Sequence, residues 1–196
     1  MATPPTQPTL APEAGDAAPD VAVLNLDGQS VDLAPLWENA PRGLAVVFLR
    51  HYGCPYCRLH AQDFQHHAAE FATAGIDVAI IGCGTLDEAQ AFAQDLDLTL
   101  PLYNDAERVA YAAFGVGRAT FTGILHPQNL TVGLSAVRQG FLPKRSAGDP
   151  RQLQGQFLID STGVIRSVAR PAVMADIPTA TAVLVDARSL PEPVTV

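Results

Sequence analysis

Arg50-His51-Tyr52-Gly53-Cys54-Pro55-Tyr56-Cys57 is the stretch on which the reading of this chain turns. Just before it, Leu44-Ala45-Val46-Val47-Phe48-Leu49 is apolar without alternation, as a central parallel strand buried on both faces must be. Just after the first cysteine, Pro55 has the fixed backbone angle that suits the first turn of a helix. Cys57, Ala61, Phe64, Ala68 and Phe71 then recur at spacings of four and three, which predicts one helix with a single buried stripe, ended by Gly75.

A strand that delivers a thiol to the start of a helix makes that thiol reactive. Unpaired backbone donors and the positive end of the macrodipole favour the thiolate, which is the nucleophile. Cys54 occupies this place if the helix begins at Pro55, and Arg50 and His51 stand ready to add positive potential. Cys57 lies three residues on, about one turn along the same face. From there it can attack a sulfenic acid or mixed disulfide formed on Cys54, so that Cys54 attacks and Cys57 resolves. The competing reading, two packed core thiols, sits poorly with the proline and the polar flanks.

Zinc is a second competitor, because His51, Cys54, Cys57 and His60 are evenly spaced. His60, however, lies two turns from Cys54 toward the polar side, and no second C-x-x-C or histidine pair completes a tetrahedral site. His60, His66 and His67 share a broad face with Asp63 and Glu70, the pattern of a solvated surface, and His126 follows no pattern. Cys83 follows the strand expected at residues 76–81 and should emerge at the same sheet edge as Cys54. A buried, inert thiol is the ordinary role for such a cysteine, with an auxiliary third thiol as the alternative.

Outward from the motif, residues 21–26 and 30–33 read as an N-terminal hairpin about the turn at 27–29. Residues 76–81 form a second apolar strand, and Thr85 and Glu88 have the spacing of a capping box for a helix that buries Leu86, Ala89, Phe92, Ala93 and Leu96. Residues 100–103 form a short strand, and Asp105 caps a helix carrying Val109, Ala113 and Phe114 that Gly115 and Gly117 stop. Strand and helix alternate here, which predicts a parallel α/β sheet covered on both faces. Residues 118–152 are the least regular part, with a short helix expected at 131–139 before Gly140. Residues 155–160 and 164–168 flank the turn at 161–163 as a β-hairpin, and an amphipathic helix at 179–188 turns Val183, Leu184 and Ala187 inward.

The 196 residues suffice for one domain, and 48% hydrophobic with 16% charged residues is a globular composition. A formal net charge of −8 repels nucleic acid and anionic membrane, so neither is an expected partner. No apolar run approaches the length of a bilayer span. Residues 1–20 are rich in Pro, Ala and Thr without the ordered parts of a secretory signal, and read as a flexible tail. A single domain is expected at 21–190, followed by a C-terminal tail at 191–196. Three cysteines are too few for a stapled secreted scaffold, which favours a reducing cytoplasm and a catalytic pair.

Three segments resemble the peroxiredoxin-like branch of the thioredoxin-fold superfamily, the AhpC/TSA-type or peroxiredoxin-like 2 group. They are residues 46–58 around the C-x-x-C, residues 148–166 (Gly148-Asp149-Pro150-Arg151-Gln152 through the hairpin) and the linking residues 77–100. The resemblance implies a thioredoxin-like α/β fold: a central mixed sheet flanked by helices, with an N-terminal hairpin and a C-terminal hairpin plus helix. It implies a redox-active pair at Cys54 and Cys57, antioxidant or peroxide-reducing activity and no bound cofactor; Arg50, His51, Pro55 and Tyr56 are the auxiliary residues expected beside the pair, and no metal is expected. Peroxide or disulfide substrates and an external dithiol reductant of the thioredoxin or glutathione type follow from it. The chain departs from ordinary peroxiredoxins, whose P-x-x-x-T-x-x-C places a proline and a threonine where Val47 and His51 stand here. It departs from thioredoxins and glutaredoxins too, with Gln154-Gly155-Gln156 where those carry a cis-proline.

The reading is therefore a thiol peroxidase, in which Cys54 becomes a sulfenic acid and Cys57 closes a disulfide. A thiol-disulfide oxidoreductase using the same pair is the alternative, and a redox-responsive binding protein presenting residues 118–152 is a further one, although an ordinary insertion packing over the sheet is the favoured reading of that segment. Mass spectrometry after stoichiometric hydrogen peroxide is expected to find a Cys54–Cys57 disulfide with Cys83 free; a Cys54–Cys83 link would reassign the resolving thiol.

Overall fold

The apolar run before the C-x-x-C forms β3 (Gly43–Phe48), and all of its residues are buried because strands flank it on both sides and helices cover both faces. The computed structural model describes residues 11–120, 134, 137–138, 140–176 and 178–190. Among these, β1 (Ala22–Leu24), β2 (Ser30–Asp32), β3, β4 (Ile76–Gly82), β5 (Leu102–Asn104), β6 (Gly155–Asp160) and β7 (Ile165–Ala169) make one sheet in the order β2-β1-β5-β4-β3-β6-β7. The parallel pairing expected from strand-helix alternation is confined to β3–β4 and β4–β5. The two hairpins add antiparallel pairs on either side, β1–β2 with β1–β5 and β3–β6 with β6–β7, so the sheet is mixed.

Alternation along β3 divides the core in two. Ala45, Val47 and Leu49 face Phe64, Phe71, Phe92 and Val183 on one side of the sheet. Leu44, Val46 and Phe48 face Trp37, Tyr111, Phe114 and Phe157 on the other. Phe48 is the hub of that second layer, with ring centroids 4.9 Å from Tyr111, 5.2 Å from Phe114 and 5.8 Å from Phe157.

The helices with bounds within the described residues are α1 (Ala34–Glu38), α2 (Pro55–His66), α3 (Ala68–Thr73), α4 (Leu86–Asp95), α5 (Val109–Ala113) and α6 (Ala180–Ala187). The single helix expected from Pro55 to Gly75 is thus two. It breaks at His67, whose backbone leaves the helical region and whose Nδ1 lies 2.8 Å from the Asp63 carbonyl oxygen. The buried stripe survives the break, because Phe64 and Phe71 stack at 5.3 Å. His60 also differs from expectation. It is fully buried on that stripe rather than on the solvated face, with its ring 5.4 Å from Phe64. Burial, partly offset by Gln156 and Asp63, pushes its pKa down to about 4, so it is a neutral core ring at physiological pH.

Thr85 and Glu88 form the expected reciprocal box at the start of α4. Asp105 does serve α5, its carboxylate accepting from the backbone of Val109, Ala110 and Tyr111 at 3.0, 2.8 and 3.3 Å. Val109, expected inside, is exposed, and Ala110, Tyr111 and Phe114 are the residues α5 and its C-cap bury.

The tail expected over residues 1–20 is docked from Ala11 onward. Gly15 and Asp16 exchange backbone bonds of 2.8 and 2.9 Å with Ile165, and Ala18 donates to the Gly163 carbonyl. The segment pairs with the turn before β7 and with its first residue, satisfying donors and acceptors that an edge strand otherwise leaves open there. Residues 1–10 and 191–196 lie outside the described residues, and of the helix expected at 131–139 only Leu134, Val137 and Arg138 are described, in helical conformation. Among the described residues, no helix is long and apolar enough to cross a membrane.

Phe157→Ala removes a buried ring that packs on Phe48 and Phe114 in the aromatic layer. It is expected to cost about 3–5 kcal/mol in urea unfolding, with the slope of the transition unchanged.

Candidate active site

The chain leaves β3 with one more sheet bond, Leu49 N–H to the Ile81 carbonyl at 2.8 Å. Tyr111 braces the two strand ends together, its hydroxyl donating toward the carbonyls of Leu49 and Ile81 at 2.6 and 3.1 Å. A turn follows, closed by Cys54 N–H on the His51 carbonyl at 3.1 Å. Cys54 is the N-cap of α2 with an extended backbone, and Pro55 is the first helical residue. Cys54, Cys57 and Cys83 are all reduced thiols, and all are buried.

Arg50 connects the three. Its backbone N–H donates to Cys57 Sγ at 3.1 Å, and its Nη1 donates to Cys54 Sγ at 3.0 Å. Its carbonyl accepts from the Cys83 thiol at 2.9 Å. The remaining guanidinium donors go to backbone oxygens of a distant segment: Nε to Gln152 at 2.9 Å and Nη2 to Pro150 at 2.5 Å. The guanidinium carbon also lies 5.9 Å from the centre of the Tyr56 ring.

Opposed forces set the thiol charges. Burial raises the pKa of Cys54, but the hydrogen bond from the Cys57 thiol, the charge of Arg50 and the backbone of Cys57 and Tyr56 together bring it down to about 6. Cys57 is pushed well above the usual thiol range by burial, by its hydrogen bond to Cys54 and by the Cys54 charge. The pair is therefore a thiolate at the helix cap and a protonated thiol one turn on. Burial lifts Cys83 to about 11, so it stays protonated and donates to Arg50. Burial and the neighbouring charge of Arg50 push His51 down to about 4. His51, expected to contribute positive potential, is neutral at physiological pH and supplies none.

The structure brings Arg50, Cys54, Tyr56, Cys57 and Cys83 into one cluster, with His51 at its flank. Residues 150–152 are what sequence reasoning missed: they act through main-chain carbonyls, which leave no side-chain signature. The segment read as a possible partner surface is, in its described part, packed over the site. Lys144 N–H donates to the Gly53 carbonyl at 3.0 Å, and Ala147 N–H to Glu88 Oε1 at 2.8 Å. A side chain at Gly148 would meet both the Cys83 carbonyl and His51 Cβ at 2.5 Å, so this crossing requires glycine. The one visible signal was the Gly148-to-Gln152 string already noted for its resemblance. Among the described residues no group of three or more His, Cys, Asp or Glu side chains is placed to hold a metal ion.

A family model described as the AhpC/TSA family matches residues 14–168. Over 101 residues the chain is 32% identical to a Mycobacterium tuberculosis protein named putative peroxiredoxin, an alignment covering 52% of this chain and 62% of that one. The chain spans less than two thirds of the length of the first curated relatives it matches. A solved peroxidoxin of Mycobacterium tuberculosis superposes with a TM-score of 0.67 at 20% identity, covering 90% of this chain and 97% of that one. A putative thiol:disulfide interchange protein from Chlorobium tepidum gives 0.60 at 16% identity, covering 89% and 97%. These likenesses establish the thioredoxin-like fold.

Alkylation of Cys54 by iodoacetamide, followed across pH by peptide mass spectrometry, is expected to have its midpoint at about 6. Arg50→Met should move that midpoint up by about 1–3 units, the usual effect of an adjacent opposite charge. His51→Gln should leave it in place.

Proposed function

The chain belongs to the AhpC/TSA family, a peroxiredoxin-like group of the thioredoxin-fold superfamily, and from that premise we propose that it is a thiol peroxidase with Cys54 as the attacking thiol and Cys57 as the resolving one. The observation that carries this reading is the contact of Arg50 Nη1 with Cys54 Sγ at 3.0 Å, beside a protonated Cys57. A thiolate paired in this way is charged at neutral pH, and the same guanidinium can stabilise negative charge that develops on a peroxide oxygen.

The steps balance without a cofactor. The Cys54 thiolate attacks one peroxide oxygen, the O–O bond breaks, and the departing alkoxide or hydroxide takes a proton from water. Cys54 is then a sulfenic acid. Cys57 attacks that sulfur; the S–S bond forms, and the sulfenic oxygen leaves as water with the Cys57 proton. An external dithiol returns two electrons by exchange through a mixed disulfide. Cys54 is 2% exposed, which favours small oxidants or local opening of the residues packed over it. His51 at the position of the usual threonine offers no hydroxyl to the peroxide. Catalysis then leans on Arg50. The continuing need for a dithiol fits a reducing compartment such as the cytoplasm.

A thiol-disulfide oxidoreductase is the second reading, favoured by the same pattern of one low-pKa thiol at the helix cap and one buried, high-pKa thiol behind it. Peroxide consumption with a dithiol reductant should vanish in Cys54→Ser. Cys57→Ser should retain one turnover and accumulate a sulfenic acid that dimedone traps. Insulin reduction without peroxide turnover would transfer the assignment to the second reading.

A further inference from the structure

Arg50 is held by carbonyl oxygens rather than by a carboxylate. A carboxylate would neutralise the guanidinium, whereas carbonyl dipoles fix its direction and leave its charge for Cys54. The direction is then only as fixed as the loop that bears the carbonyls, and two side chains hold that loop. Gln152 is 2% exposed, and its Nε2 is shared among the carbonyls of Val116, Gly117 and Leu153 at 3.1, 3.0 and 3.1 Å. Its amide thereby clips the loop to the chain leaving α5. Asp149 Oδ2 accepts from Arg108 Nη1 at 2.9 Å and also pairs with Arg118, while Oδ1 takes the backbone N–H of Arg151 at 2.9 Å. Main-chain bonds close the same seam: Gln152 N–H to Asp149 O at 3.0 Å, Ala119 N–H to Arg151 O at 2.7 Å and Leu153 N–H to Gly117 O at 3.1 Å.

We propose that Gln152 and Asp149 are positioning residues for the active thiol, fixing residues 149–152 so that the carbonyls of Pro150 and Gln152 aim Arg50 at Cys54 Sγ. Neither side chain is bonded to a sulfur; both act through Arg50. Among the described residues, the ionisable groups facing Cys54 are Arg50 from the end of β3 and Cys57 and Tyr56 from α2. His51, Cys83, Asp105, Arg108 and Asp149 form the layer behind them. Loosening the loop therefore weakens the contact of the guanidinium with the sulfur, and the Cys54 midpoint rises. The inference rests on the reading of Cys54 as the activated thiol.

The test is the pH profile of Cys54 alkylation, read by peptide mass spectrometry on the full chain, in Gln152→Leu and Asp149→Asn. Leucine keeps the volume of Gln152 without its donors, and asparagine keeps the shape of Asp149 without its charge. The Cys54 midpoint should rise by about one unit or more in Gln152→Leu, and by a smaller, measurable amount in Asp149→Asn. Arg166→Gln serves as a stability control, because it breaks the pair with Asp160 at the far end of β6; it should lower the melting temperature without moving the midpoint. Folded Gln152→Leu with an unshifted midpoint would overturn the proposal. If Gln152→Leu fails to fold, an unshifted Asp149→Asn overturns it instead. An equal rise in Arg166→Gln would also overturn it, by reducing the effect to general loosening. An ordinary thiol midpoint for Cys54 in the unmodified chain would instead sink the functional reading, and the inference with it.

Discussion

Every polar atom of Arg50 that meets the active edge of the sheet is committed to a partner, and three of those partners are the three cysteines of the chain. One residue thus sets the positions of all three sulfurs. It can do so because it sits where β3 runs out, after the last sheet bond and before the turn into α2. Its backbone still carries the direction of the strand, while its side chain is free to fold back over the helix cap. The buried strand fixes the backbone, and the backbone fixes the chemistry.

Cys54 and Cys57 share nearly the same burial yet are pushed in opposite directions. Desolvation raises both. The difference is that the guanidinium and the α2 backbone donors converge on Cys54, whereas Cys57 donates its own proton toward its neighbour and faces that neighbour's charge. Two identical thiols three positions apart in a C-x-x-C are driven to opposite charge states, chiefly by the placement of one cation. His51 shows the converse: beside a cation and away from water, an imidazole stays neutral.

The strand, the proline-led helix and the capping box were legible in the sequence because each depends on local spacing. Leu44 to Leu49, Pro55, and Thr85 with Glu88 stand where their pattern puts them. His60 was misread because a histidine spaced with the buried stripe was assigned by its polarity, and nothing local says that a neutral ring will be tolerated beside Phe64. The break at His67 was hidden because the stripe from Cys57 to Phe71 continues across it in space. At the site, the thiol pair was legible as a motif. The carbonyls of Pro150 and Gln152 were not, since a main-chain acceptor contributed from a hundred residues away has no letter of its own.

The carbonyl-held arginine has a consequence for the energetics of oxidation. In the proposed cycle its charge is satisfied only while Cys54 is an anion; with the sulfur in a disulfide, the buried guanidinium would keep, among the described residues, only carbonyl dipoles as partners. That asymmetry favours the dithiol form over the disulfide, because the reduced state alone gains the ion pair. The contact that lowers the Cys54 pKa would therefore also raise the reduction potential of the proposed pair. Under the proposed function a modest electron donor would then suffice to reset it, and the oxidised site would be a brief, high-energy stage rather than a resting one.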